Sequence, residues 1–310
     1  MQSAIENSLL LHKLHRFVRK NSPSVLYYRE FVRPLILKSR AVEGLVDESC
    51  EIHILVSAKD FLNSLWTLKS FYLCSEMRYK LCIHDDGTLS SRHADAYRKH
   101  FPDARFISQS IAKDHVKSLL ARYPKLQAFR STNVFACRIV DFPIFCESSK
   151  ILQIDSDVLF FDKPEYLVSQ INSSVASRCF ANRDVKSAYT ITIENATEKL
   201  GVQLIERFNA GLALMHRSAY SLEEVERFLS VDGVTKNLWL IEQTITALLA
   251  SRFGAELLPP EYDLDIADIE RESPCRHFVG VIRHRFYLDG IRKLRKKLLH
   301  AGISVREKHD

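Results

Sequence analysis

Residues 150–160 read Lys150-Ile151-Leu152-Gln153-Ile154-Asp155-Ser156-Asp157-Val158-Leu159-Phe160. An apolar run enters an Asp-x-Asp pair and leaves it into a second apolar run. A buried strand has this look, and open α/β sheets bind ligands at the carboxyl ends of their strands. Two carboxylates at spacing i, i+2 repel one another unless a cation lies between them. Oxygen donors suit Mn²⁺ or Mg²⁺, and such an ion would in turn hold a diphosphate. The run is not an EF-hand loop. Leu159 stands where another oxygen ligand is required, and Phe160 where Gly is required.

Outward from this stretch, strands alternate with helices. Ile52 to Val56 is a β-branched run that predicts a buried strand. Leu62, Leu65, Trp66, Tyr72 and Leu73 follow a helical period. Tyr79 to Ile83 predicts a strand that ends in the turn His84-Asp85-Asp86-Gly87. Ser90 to Lys99 predicts a helix, Ala104 to Ile107 a strand, and Phe135 to Phe145 a helix. Ser221 with Glu224 fits a capping box ahead of Val225 and Phe228. Asn237 is expected to cap a helix carrying Leu238, Ile241, Ile245, Leu248 and Leu249, which Gly254 ends. The alternation predicts an α/β fold, a sheet covered by helices on both faces.

The composition agrees. Of 310 residues, 46% are hydrophobic and 26% charged, which excludes wholesale disorder. With only 9 Gly and 9 Pro, collagen-like and low-complexity classes are excluded too. No apolar run reaches the roughly 18 residues a membrane span needs. No signal-peptide core is seen, so a cytoplasmic location is expected. Seven Cys without a CxxC pair are expected to be reduced, buried thiols.

Both ends are basic. In residues 1–50, a predicted helical extension, Leu10, Leu14, Phe17 and Val18 fall on one helical face and Lys13, Arg16, Arg19 and Lys20 on the other. Pro23 breaks this helix, and Val25 to Leu37 predicts a second. Residues 291–310 form a basic tail with Ile291, Leu294 and Leu298 at helical spacing. Docking on the main domain is the expected use of these helices. Peripheral contact with an anionic membrane is the other. A net charge of +6 is modest, and no nucleic-acid-binding motif appears, so no nucleic-acid partner is expected.

The segment Lys150 to Leu167 resembles the Asp-x-Asp region of GT-A glycosyltransferases, and three later segments extend the resemblance in the same order. Phe208-Asn209-Ala210-Gly211-Leu212 is similar to the element that contacts the donor sugar in family 8-like enzymes. Glu242-Gln243-Thr244 is similar to the Asp-Gln pair near the anomeric carbon. His277-Phe278-Val279-Gly280 followed by Arg283 resembles the C-terminal His-Phe-x-Gly-x-x-Lys element. Glu242 stands in place of Asp, Arg283 in place of Lys, and His284-Arg285 where Pro-Trp is common. The resemblance covers residues 51–290.

It implies a nucleotide-diphospho-sugar transferase with a Rossmann-like mixed sheet and helical N- and C-terminal extensions. It implies Asp155, Asp157 and His277 as ligands of Mn²⁺ or Mg²⁺. Glu242 and Gln243 become candidate catalytic residues. Val56, Ser57, Asp86, Arg138, Asn209, Gly211 and Arg283 become candidate contacts of the donor. The donor is expected to be a UDP-sugar. The acceptor is a glycan, a lipid-linked molecule or a protein, and the transfer a hexosyl transfer with retention. If the enzyme inverts instead, Glu242, Asp265 and Asp268 are the candidate bases.

The residues alone support parts of this. Glu242 lies on the apolar face of its predicted helix, where a carboxylate must find a partner or do work. Gly211 beside Asn209 allows a ligand close to the backbone. Asp86-Gly87-Thr88 matches the tail of a haloacid dehalogenase-type phosphatase motif, but His84 occupies the nucleophile position, which that mechanism needs as Asp. A non-enzymatic protein that binds membranes or anionic ligands is the remaining alternative.

Overall fold

The computed structural model describes residues 18–173, 178–266, 272–300 and 303–304. Its strands, in chain order, are β1 (Val42–Glu43), β2 (Asp47–Val56), β3 (Tyr79–Asp85), β4 (Arg105–Ile107), β5 (Lys150–Ile154), β6 (Val158–Phe160), β7 (Cys179–Arg183), β8 (Phe208–His216), β9 (Ala255–Leu257), β10 (Cys275–His277) and β11 (Ile303–Ser304). Seven of them build one sheet in the order β4-β3-β2-β5-β8-β7-β9. The four strands β2 to β5 run parallel to one another, while β8 is antiparallel to both β5 and β7. The fold is thus a mixed α/β sheet flanked by helices.

Alternation along the strands divides the core. Leu152 and Ile154 of β5, with Leu212 and Leu214 of β8, face one apolar layer. That layer holds the helix α1 (Phe61–Ser75), the N-terminal helical run and the C-terminal helix. Ile151, Ala213 and Met215 face the other layer, with helices α2 (Cys137–Phe145) and α3 (Ile241–Phe253). Each fully buried Leu, Ile or Phe contributes about 1.5–3 kcal/mol over an exposed one, so both layers are needed. All seven Cys are free and buried, as expected.

Several boundaries differ from the sequence reading. Strand β2 begins at Asp47 and carries Glu51 and His53 into the interior. Helix α3 begins at Ile241, because Leu238 and Trp239 point to solvent and 237–240 forms a turn. Asn237 opens that turn by accepting the Trp239 N–H at 3.0 Å. Gly254 ends α3 at φ 112°, where a side chain would be strained.

The stretch read as one helix over Val25 to Leu37 is a run of three kinds of turn. It starts as α over Pro23–Leu26, widens to π over Tyr27–Val32 and tightens to 3-10 over Arg33–Lys38. Pro34 has no N–H to give to the ladder, so the regular α spacing cannot pass it. Of the amphipathic helix expected from Leu10 to Lys20, residues up to Phe17 lie outside the described residues and 18–20 are helical. The expected C-terminal helix is present as α4 (Arg292–His300). Among the described residues, no helix is long and apolar enough to cross a membrane.

Two small pairings complete the architecture. β6 and β10 form an antiparallel ribbon in which Val158 pairs His277. β1 and β11 pair in parallel, Val42 with Ile303.

Candidate active site

Because β2, β3 and β5 are parallel, they deliver Val56, Asp85 and Ile154 to one edge of the sheet. β8 arrives from the opposite direction, so residues preceding Leu212, the partner of Ile154, lie alongside Asp155. A cleft of about 680 Å³ opens at this edge.

The Asp-x-Asp turn is fixed from beneath and beside. Thr67 Oγ1 of α1 donates to the Ser156 carbonyl at 3.0 Å, and Ser70 Oγ accepts the Phe160 N–H at 3.1 Å. The Asp155 N–H donates to the Gly211 carbonyl at 2.7 Å, and the Phe278 N–H to the Asp157 carbonyl at 2.8 Å. A helix whose hydroxyls face the sheet thus holds the turn rigid, and the β6–β10 ribbon brings His277 to it.

His277 Nε2 lies 3.1 Å from Asp157 Oδ1 and 3.7 Å from Asp155 Oδ2. One ligand atom from each of these three residues falls within 4.8 Å of the others. His277 Nδ1 is 3.0 Å from Asn209 Oδ1. That oxygen also accepts the Gly211 N–H at 3.0 Å, while Asn209 Nδ2 donates to Asp184 Oδ2 at 2.8 Å. Asn209 Oδ1 is therefore an acceptor and Nδ1 of His277 donates to it, which leaves Nε2 facing the carboxylates, as a donor to Asp157 when protonated and as a lone-pair ligand toward a cation. Burial alone would lower the His277 pKa, but Asp157 and Asp155 more than offset it and raise it. Two carboxylates and one imidazole fit Mn²⁺ or Mg²⁺ as a donor set. The space fits too. A Cβ on Gly211 would overlap His277 Cε1 and come within 2.9 Å of Asp155 Oδ2, so only Gly leaves this cradle open.

Cations flank the acidic group. Arg283 Nη2 lies 2.6 Å from Asp157 Oδ2, and its Nη1 donates to Asp60 Oδ1 at 2.8 Å. Arg138, buried on α2, reaches Asp155 Oδ1 at 3.1 Å and Glu242 Oε2 at 3.4 Å. Its Nη2 also donates to the Ala210 carbonyl at 2.6 Å. Glu242 accepts Thr246 Oγ1 at 3.1 Å. Burial raises the Glu242 pKa and Arg138 opposes the rise.

Of the residues singled out in the sequence, Ser57, Asp86, Arg138, Asn209, Gln243 and Arg283 line the cleft with the acidic group. Gln243 Nε2 donates to the Ala188 carbonyl at 3.1 Å. Glu242 sits behind the wall, buried against Arg138. Val56 is also buried beneath the cleft, and Gly211 forms its floor under His277. Asp86 lies at the rim, where its Oδ1 closes its own turn by accepting the Thr88 N–H and Oγ1–H. Asp265 is not among the lining residues, and Asp268 lies outside the described residues. Lining residues that the sequence reading did not single out are Lys59, Asp60, Phe135, Asp184 and Trp239. Trp239 is 78% exposed and lies 5.9 Å from the Phe135 ring at the cleft mouth.

This is the GT-A glycosyltransferase fold. The chain is similar in structure to the bifunctional glycosyltransferase WbbM, at a TM-score of 0.51 and 12% identity over 83% of this chain and 52% of that one. It is similar to mouse xyloside xylosyltransferase 1, also at a TM-score of 0.51 and 12% identity, over 77% of this chain and 99% of that one. The chain spans about half the length of WbbM. No family model and no curated protein sequence matches it.

Proposed function

We propose that the chain is a metal-dependent glycosyltransferase that moves a hexosyl group from a UDP-sugar to a glycan, lipid-linked or protein acceptor. The observation that carries this reading is the convergence of Asp155, Asp157 and His277 at the ligand edge of a GT-A sheet. In this reading those three residues hold Mn²⁺ or Mg²⁺. When bound, the ion supplies the positive charge that a departing diphosphate requires.

The chain's own residues do the rest. Arg283 is a fixed cation beside Asp157, placed to meet a diphosphate oxygen. Ser57 and Asp86 take the nucleoside end, over the buried Val56. Asn209 and Gln243 orient the sugar over Gly211, and Glu242 acts through Arg138.

Retention is the stereochemistry this arrangement supports. Among the described residues, each carboxylate lining the cleft is already engaged: Asp60 by Arg283, Asp86 by Thr88, Asp184 by Asn209, and Asp155 and Asp157 by His277. This reading assigns none of them as the base. The C1–phosphate bond then breaks as the acceptor oxygen bonds C1 on the same face, and the acceptor proton passes to the leaving phosphate oxygen.

The test is thermal unfolding with UDP, GDP, ADP or CMP, each with Mn²⁺ or with EDTA. A ligand at 100 times its Kd stabilises by about 2.7 kcal/mol. A shift with UDP that disappears in EDTA is expected. No shift with any nucleotide and metal overturns the reading.

A further inference from the structure

Among the described residues, Trp239 is the most exposed of the large apolar side chains, at 78%, and Leu238 beside it is exposed as well. Trp239 lines the cleft together with Phe135, and the two rings meet at 5.9 Å and 52°. The pair is an open angle rather than a closed stack, so the indole keeps a face for a third group. One buried side chain mounts both rings. Asn133 Oδ1 accepts the Phe135 N–H at 2.9 Å, and Asn133 Nδ2 donates to the Leu238 carbonyl at 2.8 Å. The turn that carries Trp239 is closed again by the Leu240 and Ile241 N–H groups, which donate to the Asn237 carbonyl at 3.0 and 3.1 Å.

An indole held out in water forgoes the stabilisation that burial gives an aromatic side chain. On a loose loop the ring folds back onto the surface, but a hydrogen-bonded turn prevents that here. A rigid, exposed aromatic pair at the rim of a polar cleft is what a ligand-binding groove presents. The pair also sits close to the chemistry. Trp239 precedes Gln243 by four residues, and Phe135 precedes Arg138, which reaches Asp155, by three. Each ring is thus about 5–6 Å, one helical turn, outward from a residue at the acidic centre. The same lining carries the amides of Gln243 and Asn209 and the carboxylate of Asp184.

We propose that Trp239, with Phe135, is the platform on which a sugar ring of the acceptor lies, so that the acceptor is a glycan. The assignment to the acceptor rests on the transferase reading above, whereas the stacking of a sugar on Trp239 does not. A pyranose offers a patch of C–H bonds on one face and hydroxyls around its rim. The weakly positive C–H hydrogens meet the negative face of the indole, and the hydroxyls meet amides and a carboxylate. An acyl chain needs a continuous apolar groove, and this cleft also carries Lys59, Asp60 and Arg283. A peptide would bring backbone N–H and C=O groups that an aromatic pair leaves unpaired. In the transferase reading the donor lies deeper, over Val56 and Gly211, which leaves the mouth to the second substrate.

The chain has 2 Trp, and the other, Trp66, is fully buried with its Nε1–H on the Arg33 carbonyl at 2.9 Å. Quenching of the intrinsic fluorescence by acrylamide therefore reads Trp239. The test is this quenching in protein saturated with UDP and Mn²⁺, with methyl β-galactoside, methyl β-glucoside or methyl α-mannoside added in turn. At least one glycoside is expected to shield Trp239. Titration calorimetry of that glycoside should show about tenfold weaker binding in Trp239→Ala and a smaller loss in Trp239→Phe, which keeps an aromatic face. If no glycoside shields Trp239, or if Trp239→Ala binds as tightly as the wild type, the platform is overturned. Shielding already complete with UDP, UDP-glucose or UDP-galactose alone overturns it as well, because the rings then serve the donor. If UDP with Mn²⁺ gives no rise in melting temperature, the transferase reading fails, and the same titrations without nucleotide still decide whether Trp239 holds a sugar.

Discussion

Arg138 and Glu242 face one another at 3.4 Å from two helices, and the same guanidinium reaches Asp155 at 3.1 Å. One buried cation therefore ties the wall of the cleft to its acidic centre. Removing one partner of a buried ion pair leaves the other charge stranded, at a cost of roughly 3–5 kcal/mol. Arg138→Met is expected to lose stability in this range by urea unfolding. Adding Glu242→Gln should recover part of the loss, because the stranded charge disappears. Two independent, additive losses would show that the pair is not coupled.

Asp157 bears on binding as well as on folding, being buried against Arg283 and His277. Asp157→Ala is expected to remove the Mn²⁺-dependent part of the UDP-induced rise in melting temperature, a stabilisation of about 2.7 kcal/mol at 100 times Kd. Asp157→Asn keeps the shape and should fail in the same way, since the amide is a poor ligand for a hard cation. A UDP shift that survives in either variant counts against Asp157 as a ligand.

Gly211→Ala isolates the cradle. The added methyl overlaps His277 and crowds Asp155, and neither lies at the far end of a flexible chain. Overpacking of this kind costs about 1–3 kcal/mol. The displacement of His277 should also weaken Mn²⁺ binding at least tenfold, read by titration calorimetry. Unchanged metal affinity would mean that His277 stays where it is or does not ligate.

Acid stability is expected to depend on Glu51. Its carboxyl is buried, which pushes it up, but His53, the Glu147 N–H and Arg105 outweigh burial and hold it at about 2. Arg105 lies 2.5 Å from Glu51 Oε1, and the Glu147 N–H donates to Oε2 at 2.7 Å. A carboxylate lowered in the folded state stabilises above its unfolded value and loses that contribution as pH falls through the folded one. The wild-type advantage over Glu51→Gln should therefore be full above pH 4.5 and vanish toward pH 2. Its size is on the order of 2–3 kcal/mol at neutral pH. A difference between the two proteins that does not change with pH would remove Glu51 from this role.

Local pattern made the elements of the sheet legible, and the Asp-x-Asp turn with them. Lys150–Ile154 and Phe61–Ser75 emerge where periodicity put them. Residues joined by long-range pairing were another matter. His277 reaches Asp157 only because β10 pairs with β6, and no hydropathy pattern marks such a contact. Its place came from the order of motifs. The strand expected to begin at Ile52 leaves Glu51 outside it, because a buried carboxylate reads as polar until its partner is known, and Arg105 lies two strands away. Asp184 follows β7, whose Cys179-Phe180-Ala181-Asn182-Arg183 has no β-branched residue to mark it as a strand.

The packing of the helical run has a consequence for biosynthesis. Val25, Val32 and Ile36 belong to the same apolar layer as Ile291, Leu294 and Leu298, and among the described residues β1 pairs only with β11. The ribosome makes the second group roughly 250 residues after the first, and at about 5–20 residues per second that is an interval of tens of seconds. For that time the nascent helical run can pack on α1 but lacks the C-terminal part of its native cover. The last part of the apolar layer therefore closes only when Ile291, Leu294 and Leu298 have been made.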